Sequence, residues 1–407
     1  MDDIQLFQMA LGLGAPWQVR DCRFDPAQSR LDIDLDFPKG SPFACPECGA
    51  PAKAYDTEDK QWRHLNFFQH TCYLNARLPR VKCDKCGVRQ VGVPWARPGS
   101  GFTLLFEAFV LALARKMPVL AVAQIVGEHD TRLWRLIDHW VNDARDKRDD
   151  KEVREVGIDE TSSKRGHNYI SVFVDLAKHG VLFATPGKDA ATVEAFAKDL
   201  KAHGGDAAKI LEVCSDMSKA FIAGVRDYLP EAAHTFDKFH LLKLINEAVD
   251  EVRRAEQEEF PEELTKTRYL WLKNPEHLTC TQMTQLMGFL ESRHTLKTAR
   301  AYRLKLSFQH LFNQNKPDAE QFFKDWYYWA THSRLEPMIK VAKTMMEHKD
   351  GVLRWFKSRV SNGLLEGINS LIQAAKAKAR GYRSVRNLIT IVYLIAGRLD
   401  IQVTHTI

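Results

Sequence analysis

Apolar and polar residues alternate along the first part of the chain. Leu31-Asp-Ile-Asp-Leu-Asp-Phe37 keeps strict period two, which puts four apolar side chains on one face of a strand and three aspartates on the other. Gln18 to Phe24 alternates well enough to be a second strand, and Asp25-Pro-Ala-Gln28 between the two reads as a turn. Trp62 to Leu78 also reads as strands. The period then lengthens. Phe102 to Lys116 and Val119 to Val126 read as helices, with Pro118 suited to the first turn of the second. Gly127-Glu-His-Asp130 is a turn, and Thr131 is placed to cap a third helix, Arg132 to Arg145. A charged linker, Asp143 to Glu155, closes this half.

From residue 153 the texture changes. Val153 to Asp159 is a strand, Ser162-Ser-Lys-Arg-Gly-His167 a turn, and Asn168 to Leu176 is nearly continuously apolar, as in a central buried strand. Val181 to Thr185 is a third strand. Asp189 to His203 is an amphipathic helix, Ile210 to Ser215 a strand, Ser218 to Tyr228 a helix, and Ala233 to Phe236 a fifth strand. Three strands followed by helix, strand, helix, strand is a meander joined to crossover units, the order of an RNase H-like layout. Residues 241 to 345 read as helical, charged and aromatic; Trp271, Phe322, Phe323, Trp326 and Trp329 are taken as the core of an inserted domain rather than as base-stacking platforms. The fold class expected is therefore α/β. Its organisation is 1–97 for N-terminal strands and a cysteine-bearing ribbon, 98–150 for a helix-turn-helix, 151–240 and 346–407 for two parts of a catalytic core, and 241–345 for the helical insertion.

Composition changes this picture little. A 407-residue chain with 45% hydrophobic and 27% charged residues is an ordinary globular protein of several domains. No apolar run reaches membrane-spanning length, and Met1-Asp-Asp-Ile4 has no basic start followed by an apolar stretch, so a cytoplasmic protein is expected. A net charge of +6 is too small to show nucleic-acid binding by itself, so local clusters have to carry that argument.

Four of the eight cysteines form two copies of one turn, Cys45-Pro-Glu-Cys48-Gly and Cys83-Asp-Lys-Cys86-Gly, with 34 residues between them. Thiolates two residues apart on a tight turn reach one Zn²⁺ at ~2.3 Å, and the following glycine permits the turn, so a closed four-cysteine Zn²⁺ site in a zinc ribbon is expected. The helices that follow have helix-turn-helix spacing, with Arg132 and Arg135 on the early turns of the candidate recognition helix.

Three acids carry candidate chemistry. Asp159 and Asp216 each end an apolar run, and a carboxylate at the end of a buried strand is costly unless something positive compensates it. Glu366, in Ser361-Asn-Gly-Leu-Leu-Glu-Gly-Ile-Asn369, sits where a helix begins. Asp159, Asp216 and Glu366 together suit Mg²⁺ or Mn²⁺, hard cations that favour oxygen ligands and serve phosphoryl transfer on nucleic acid. On the Glu366 helix, Leu364, Leu365, Ile368, Leu371, Ile372 and Ala375 form an apolar face, and Glu366, Asn369, Gln373, Lys376 and Arg380 a separate stripe running from the metal site towards a DNA backbone. Lys376, Lys378, Arg380, Arg383 and Arg386 fall in a stretch without acids and read as phosphate contacts. Asp237, in Phe236-Asp-Lys-Phe-His240, either supports the metal site, with His240 at substrate, or caps a helix.

On these residues the chain resembles the bacterial ISL-three family of insertion-sequence transposases, DDE-class recombinases with an RNase H-like core. The segments that carry the resemblance are the two cysteine turns, Gly157-Ile-Asp-Glu160, Cys214-Ser-Asp-Met217, Phe236-Asp-Lys-Phe-His240, the Ser361 to Asn369 segment and Gly381-Tyr-Arg383, from about residue 41 to 390. The resemblance implies that Asp159, Asp216 and Glu366 are the catalytic triad. It further implies that the ribbon and helix-turn-helix recognise terminal inverted repeats in double-stranded DNA, and that metal-activated water cuts the element end and the freed 3′-hydroxyl attacks target DNA. Pairing of two ends implies a homodimer or larger synaptic complex. Two other readings stay open here: a DNA-binding regulator derived from a transposase, and a nuclease without strand transfer.

Overall fold

Both period-two segments are strands in the computed structural model, which describes residues 2–292, 296–358 and 363–403. The chain divides into two compact units, one of Met1–Lys147, Ala375–Ile395 and Leu399–Ile407, the other of Arg148–Ala374 and Ala396–Arg398.

The first unit opens with α1 (Asp3–Ala10), in a stretch the apolar pattern left unassigned, and continues through β1 (Gln18–Asp25), β2 (Arg30–Asp36), β3 (Pro42–Ala44), β4 (Pro51–Phe67), β5 (His70–Cys83) and β6 (Gly87–Gln90). The sheet runs β1-β2-β5-β4-β3, with β6 on β5; β2 lies parallel to β5 and the other pairs are antiparallel. Leu31, Ile33 and Leu35 are buried, while Asp32, Asp34 and Asp36 on the other face meet Arg30, Arg23 and Arg77. The buried rings of Trp17 and Trp62 pack edge-on against Trp95 at 4.8 and 5.6 Å.

Three helices follow, α2 (Leu104–Ala114), α3 (Val119–Val126) and α4 (Asp130–Asp146). Two details differ from the expectation. Pro118 stands at the cap position before α3. α4 begins at Asp130 with His129 before it, so Thr131 is already helical and is not the cap; the helix also runs on to Asp146, absorbing the start of the expected linker. Gly127 takes a left-handed φ of 68° to end α3, a conformation available to glycine at little cost. The buried guanidinium of Arg63 donates to Val126 O at 3.1 Å, so β4 satisfies an otherwise open carbonyl at the end of α3. Glu107 is fully buried and saturated, accepting from Trp140 Nε1, Arg97 Nε and Ser100 Oγ at 2.7, 3.0 and 2.6 Å.

The second unit holds β7 (Glu155–Lys164), β8 (Asn168–Asp175), β9 (Gly180–Pro186), α5 (Ala190–Ala202), β10 (Glu212–Ser215), α6 (Lys219–Tyr228) and β11 (Ala233–Phe236). The sheet order is β11-β10-β7-β8-β9. β7, β8 and β9 form an antiparallel meander, and β10 and β11 lie parallel to β7. β7 is longer than expected. Its hairpin with β8 keeps pairing through Lys164↔Asn168, so Ser162 to Lys164 belong to the strand and the turn shrinks to residues 165–167. Thr161 and Ser163, polar but buried, continue the alternation of the strand past Asp159.

Helices then dominate: α7 (Lys238–Gln257), α8 (Pro261–Leu264), α9 (Arg268–Leu272), α10 (Cys280–Ser292), α11 (Lys297–Leu311), α12 (Lys316–Thr331), α13 (Glu336–Glu347) and α14 (Lys349–Ser358). Trp271, Phe323 and Trp326 are buried in their shared core and Phe322 packs partly against it, whereas Trp329 is 45% exposed. Two buried charges complete helix ends. Glu256 accepts from Lys297 N and Thr298 N at the start of α11, at 2.6 and 2.7 Å, and Lys305 Nζ donates to Trp271 O and Leu272 O at the end of α9, at 2.9 and 2.7 Å.

The last helices are α15 (Gly363–Lys378) and α16 (Val385–Ala396). Within the first unit α16 seats on α4: Thr390 Oγ1 donates to Asp138 Oδ1 at 2.7 Å, Arg386 pairs with Asp138 at 2.7 Å, and the Arg145 guanidinium lies 4.1 Å from the Tyr393 ring centroid. Among the described residues, no helix is long and apolar enough to cross a membrane.

Candidate active site and metal centre

Strand register alone brings three aspartates level. β10 pairs with β7 through Cys214↔Gly157 and with β11 through Ser215↔Phe236. Carried past the strand ends, the same register sets Asp216 beside Asp159 on one side and Asp237 on the other, and Asp237 N donates to Ser215 O at 3.0 Å. Asp159 is therefore not a strand end. It lies midway along β7, and Asp216 reaches its level because β10 stops there.

Each carboxylate is held differently. Asp159 Oδ1 accepts from Glu160 N at 2.8 Å and Oδ2 from Asn369 Nδ2 at 2.7 Å. Burial pushes its pKa up to about 6, and the charge of Asp216 adds to the rise. Asp216 Oδ1 accepts from Ser218 N at 2.9 Å in the turn that starts α6. Asp237, 1% exposed, caps α7 by accepting from His240 N at 3.2 Å, and His240 Nδ1 lies 2.9 Å from the same oxygen. Asp237 therefore caps a helix, one of the two roles considered for it, and the same side chain holds His240. The hydrogen bond to Asp237 raises the pKa of His240 against the opposing effect of burial, with Asp159 and Asp216 adding to the rise.

Glu366 is exposed on the first turn of α15; Ser361 and Asn362 of its motif lie outside the described residues. The stripe beyond it does not run free towards DNA as expected. Asn369 bonds Asp159, and Gln373 Nε2 donates to Thr161 Oγ1 at 2.6 Å and Ser162 O at 3.1 Å, so the amides fasten α15 along β7. The buried face is Leu365, Ile368 and Ile372, and Leu371 is 45% exposed rather than part of it. Leu365 lies over Gly157, where a side chain would collide with it. Arg380 falls past the end of α15, in a turn with φ 53°.

Asp159, Asp237, Phe239, His240, Lys243, Glu366 and Asn369 line one cavity of about 300 Å³. Asp216 is not on its wall but adjoins it closely enough to perturb both Asp159 and His240. Phe239 and Lys243 were missed in the sequence; the only signal was their position within two turns of the strand-end Asp237. Among the described residues the three acids do not form a preassembled cage of donor atoms within 4.8 Å of one another; only Cys45, Cys48, Cys83 and Cys86 do.

Those cysteines sit on two turns, after β3 and between β5 and β6, with Gly49 and Gly87 in left-handed conformations at φ 72° and 77°. Four sulfurs around Zn²⁺ at ~2.3 Å stand ~3.8 Å apart. Cys48 and Cys83 Sγ are 3.5 Å apart, so the set fits the ion. Backbone N–H groups of Cys86 and Lys85 bring Cys83 down to about 7, whereas hydrogen bonding by neighbouring thiols, Cys48 first, pushes Cys86 up to about 12. Four crowded thiols cannot all ionise without a cation among them.

The candidate DNA contacts differ in availability. Arg132 pairs with Glu128 at 2.6 Å and lies 4.4 Å over the Phe102 ring, so its guanidinium is largely committed to the fold. Arg135 is exposed, on a face of α4 shared with exposed Thr131, His139 and Asn142. Lys378, Arg380 and Arg383 are exposed, Lys376 is partly buried, and Arg386 pairs with Asp138 while remaining 74% exposed.

Comparison with known proteins agrees along most of the chain. Residues 156–392 match a family model described as a transposase, 92–141 the helix-turn-helix domain of transposase family ISL3, and 41–86 the zinc-finger of transposases IS204, IS1001, IS1096 and IS1165. The transposase for insertion sequence element IS1557 of Mycobacterium tuberculosis is 30% identical over 442 residues, covering 98% of this chain and 96% of that protein. The transposase for insertion sequence element IS1001 of Bordetella parapertussis is 26% identical over 371 residues, covering 88% of this chain and 89% of that protein.

Proposed function

Because the chain belongs to the ISL3 family of insertion-sequence transposases, we propose that it binds the terminal inverted repeats of its element, cleaves DNA there and joins the freed end to target DNA, with Asp159, Asp216 and Glu366 as the catalytic carboxylates. The observation that carries this reading is the meeting of Asp159, Glu366 and Asn369 on one cavity with Asp216 level beside it. A meander followed by two parallel strands supports an RNase H-like core.

The donor set is all oxygen, and Asp159 is held as a carboxylate at a cost that a nearby cation would relieve. Asp159, Asp216 and Glu366 would hold Mg²⁺ or Mn²⁺, which when bound supplies Lewis acidity to a phosphodiester. The protein's own contribution is placement. Asn369 fixes the Asp159 carboxylate, Gln373 and Leu365 fix the helix that carries Glu366, and Asp237 fixes His240 at the cavity wall. The reaction is two exchanges at phosphorus. Water displaces the 3′-oxygen at the element end; that 3′-hydroxyl then displaces a 3′-oxygen in the target. One phosphodiester replaces another in the second step, so no energy-carrying cofactor is needed.

Upstream, the zinc ribbon and α2–α4 would position the end sequence, with Arg135 towards the bases and Lys378, Arg380 and Arg383 towards phosphates. Binding two ends at once favours a homodimer or larger assembly. The test is an element-end duplex incubated with protein, Mg²⁺ and a plasmid target. Asp159→Asn, Asp216→Asn and Glu366→Gln should each abolish cleavage while leaving end binding intact, and binding should weaken steeply with salt. Normal cleavage by any of the three removes that residue from the site. Cleavage without joined product identifies a nuclease, and binding without cleavage by the native protein identifies a regulator.

A further inference from the structure

The helix that starts beside the carboxylates carries a second, wider space. Phe239, Lys243, Asn246, Asp250 and Arg254, spaced three or four apart along α7, line a cavity of about 710 Å³ that Arg268 also borders. Phe239 and Lys243 line the carboxylate cavity as well, so the two spaces meet at these residues.

Three properties of the groove point to one kind of occupant. Phe239 is 49% exposed at the junction, with Lys238 Nζ 5.2 Å from its ring centroid, so an aromatic surface and a cation stand together next to the carboxylates. Along the groove the cations of Lys243, Arg253, Arg254 and Arg268 outnumber the carboxylates of Glu247 and Asp250. Asp250 alone faces three guanidiniums, Arg253 at 2.9 Å, Arg268 at 3.3 Å and Arg254 at 3.6 Å, more than one carboxylate neutralises. Finally, Asn246 Oδ1 is buried and has no hydrogen-bond partner among the described residues. A buried acceptor left unpaired is rare in folded proteins, and the exocyclic amine of a base would satisfy it.

Stacking surface, spaced cations and an unpaired amide acceptor are the elements of a single-strand nucleic-acid track. We propose that this groove takes the DNA strand adjoining the scissile phosphodiester after it leaves the duplex, with one base stacked on Phe239, another donating to Asn246 Oδ1, and phosphates along Lys243, Arg254 and Arg268. The proposal rests on the reading of Asp159, Asp216 and Glu366 as a DNA-cleaving site, and it adds that the duplex opens on the α7 side.

Its test separates the two. Full-length Asp216→Asn protein is bound to element-end duplexes that carry 2-aminopurine at successive positions flanking the cut. One or two adjacent positions should brighten on binding, as a base leaves the helix stack. That signal should disappear in Asp216→Asn/Phe239→Ala and persist in Asp216→Asn/Phe239→Tyr. In otherwise native protein, Phe239→Ala should lower cleavage of paired duplex roughly 5- to 150-fold, the range expected for one lost base–aromatic stack. The deficit should shrink on a duplex pre-opened by mismatches at the bright positions. A fluorescence pattern independent of Phe239, or an equal deficit on paired and pre-opened duplexes, overturns the proposal. If the native protein does not cleave at all, the proposed function fails, while the fluorescence arm still decides the groove.

Discussion

Gly157→Ala is a small change with a long lever. A Cβ at residue 157 would stand 2.7 Å from Leu365 Cδ1, 3.1 Å from Leu365 Cγ and 2.9 Å from Leu176 Cδ2. Carbon atoms in contact sit ~3.5–4.0 Å apart, so about 1 Å has to be found. β7 cannot readily supply it, being paired with β8 on one side and β10 on the other. Rotation of Leu365 is hindered because that residue is 1% exposed and closely packed. The softer response is for α15 to lift, at a cost of about 1–3 kcal/mol typical of overpacking. Lifting α15 moves Glu366, the residue after Leu365, and stretches the 2.7 Å bond from Asn369 to Asp159. A displacement near 1 Å in a positioned group costs activity by about 100-fold. Thermal unfolding and end-duplex cleavage measured on Gly157→Ala, Leu365→Ala and the double variant form the assay. Leu365→Ala alone should cost about 2–5 kcal/mol, and the double variant should be more stable than the sum of the singles by about 1–3 kcal/mol, because the cavity receives the methyl. Additive stabilities together with undiminished cleavage in Gly157→Ala would refute the idea that this glycine seats the helix carrying Glu366.

Three further outcomes are expected. Metal analysis of the purified protein should find one zinc per chain, lost in Cys45→Ser or Cys83→Ser; native protein without zinc would refute the four-thiolate site. Arg354 Nη2 and Nε bond Glu212 Oε2 at 2.9 and 3.1 Å beside buried Thr235, so Arg354→Met should destabilise the protein by about 2–4 kcal/mol in denaturant titrations, with Glu212→Gln restoring most of it. Burial, reinforced by His348, lowers His234 to about 4 while its Nε2 lies 2.7 Å from Ser215 Oγ. The unfolded chain binds this proton near pH 6.5 and the folded chain only near 4, so stability is full above about 6.5 and falls as pH drops towards 4. The loss is at most about 3 kcal/mol, less for the residual solvent contact of the ring, and His234→Gln should flatten that part of the pH profile.

Much of the architecture was legible from periodicity. β2 and the sheet of the second unit could be read because Leu31-Asp-Ile-Asp and Asn168 to Leu176 leave little choice of period. Asp159 was misplaced to a strand end because Thr161, Ser162 and Ser163 look like a loop in isolation; hydrogen bonding to β8 and burial against Gln373 make them strand. The amides of Asn369 and Gln373 lie on the helix stripe that joins Glu366 to the basic residues, yet their partners on β7 lie about 210 residues upstream, a pairing no local pattern records. The spacing of Arg132 fits a reading helix, while its pairing with Glu128 and its seat on Phe102 are contacts that spacing does not record. The cysteine turns were the most legible feature, since geometry at a zinc ion constrains residue type and spacing together.

The seat of α16 on α4 has a consequence for the order in which the protein is made. The first unit draws Met1–Lys147 from early in the chain and Ala375–Ile395 from late in it, with residues 148–374 between them. At about 5–20 residues per second, a ribosome needs roughly 10–45 s to cross that interval. Throughout it, Asp138, Trp134 and Arg145 on α4 wait without Thr390, Arg386, Tyr382 and Tyr393. Helix α4 of a nascent chain is thus braced only once residues 382–393 have been made, and a product truncated before them carries α4 without these partners.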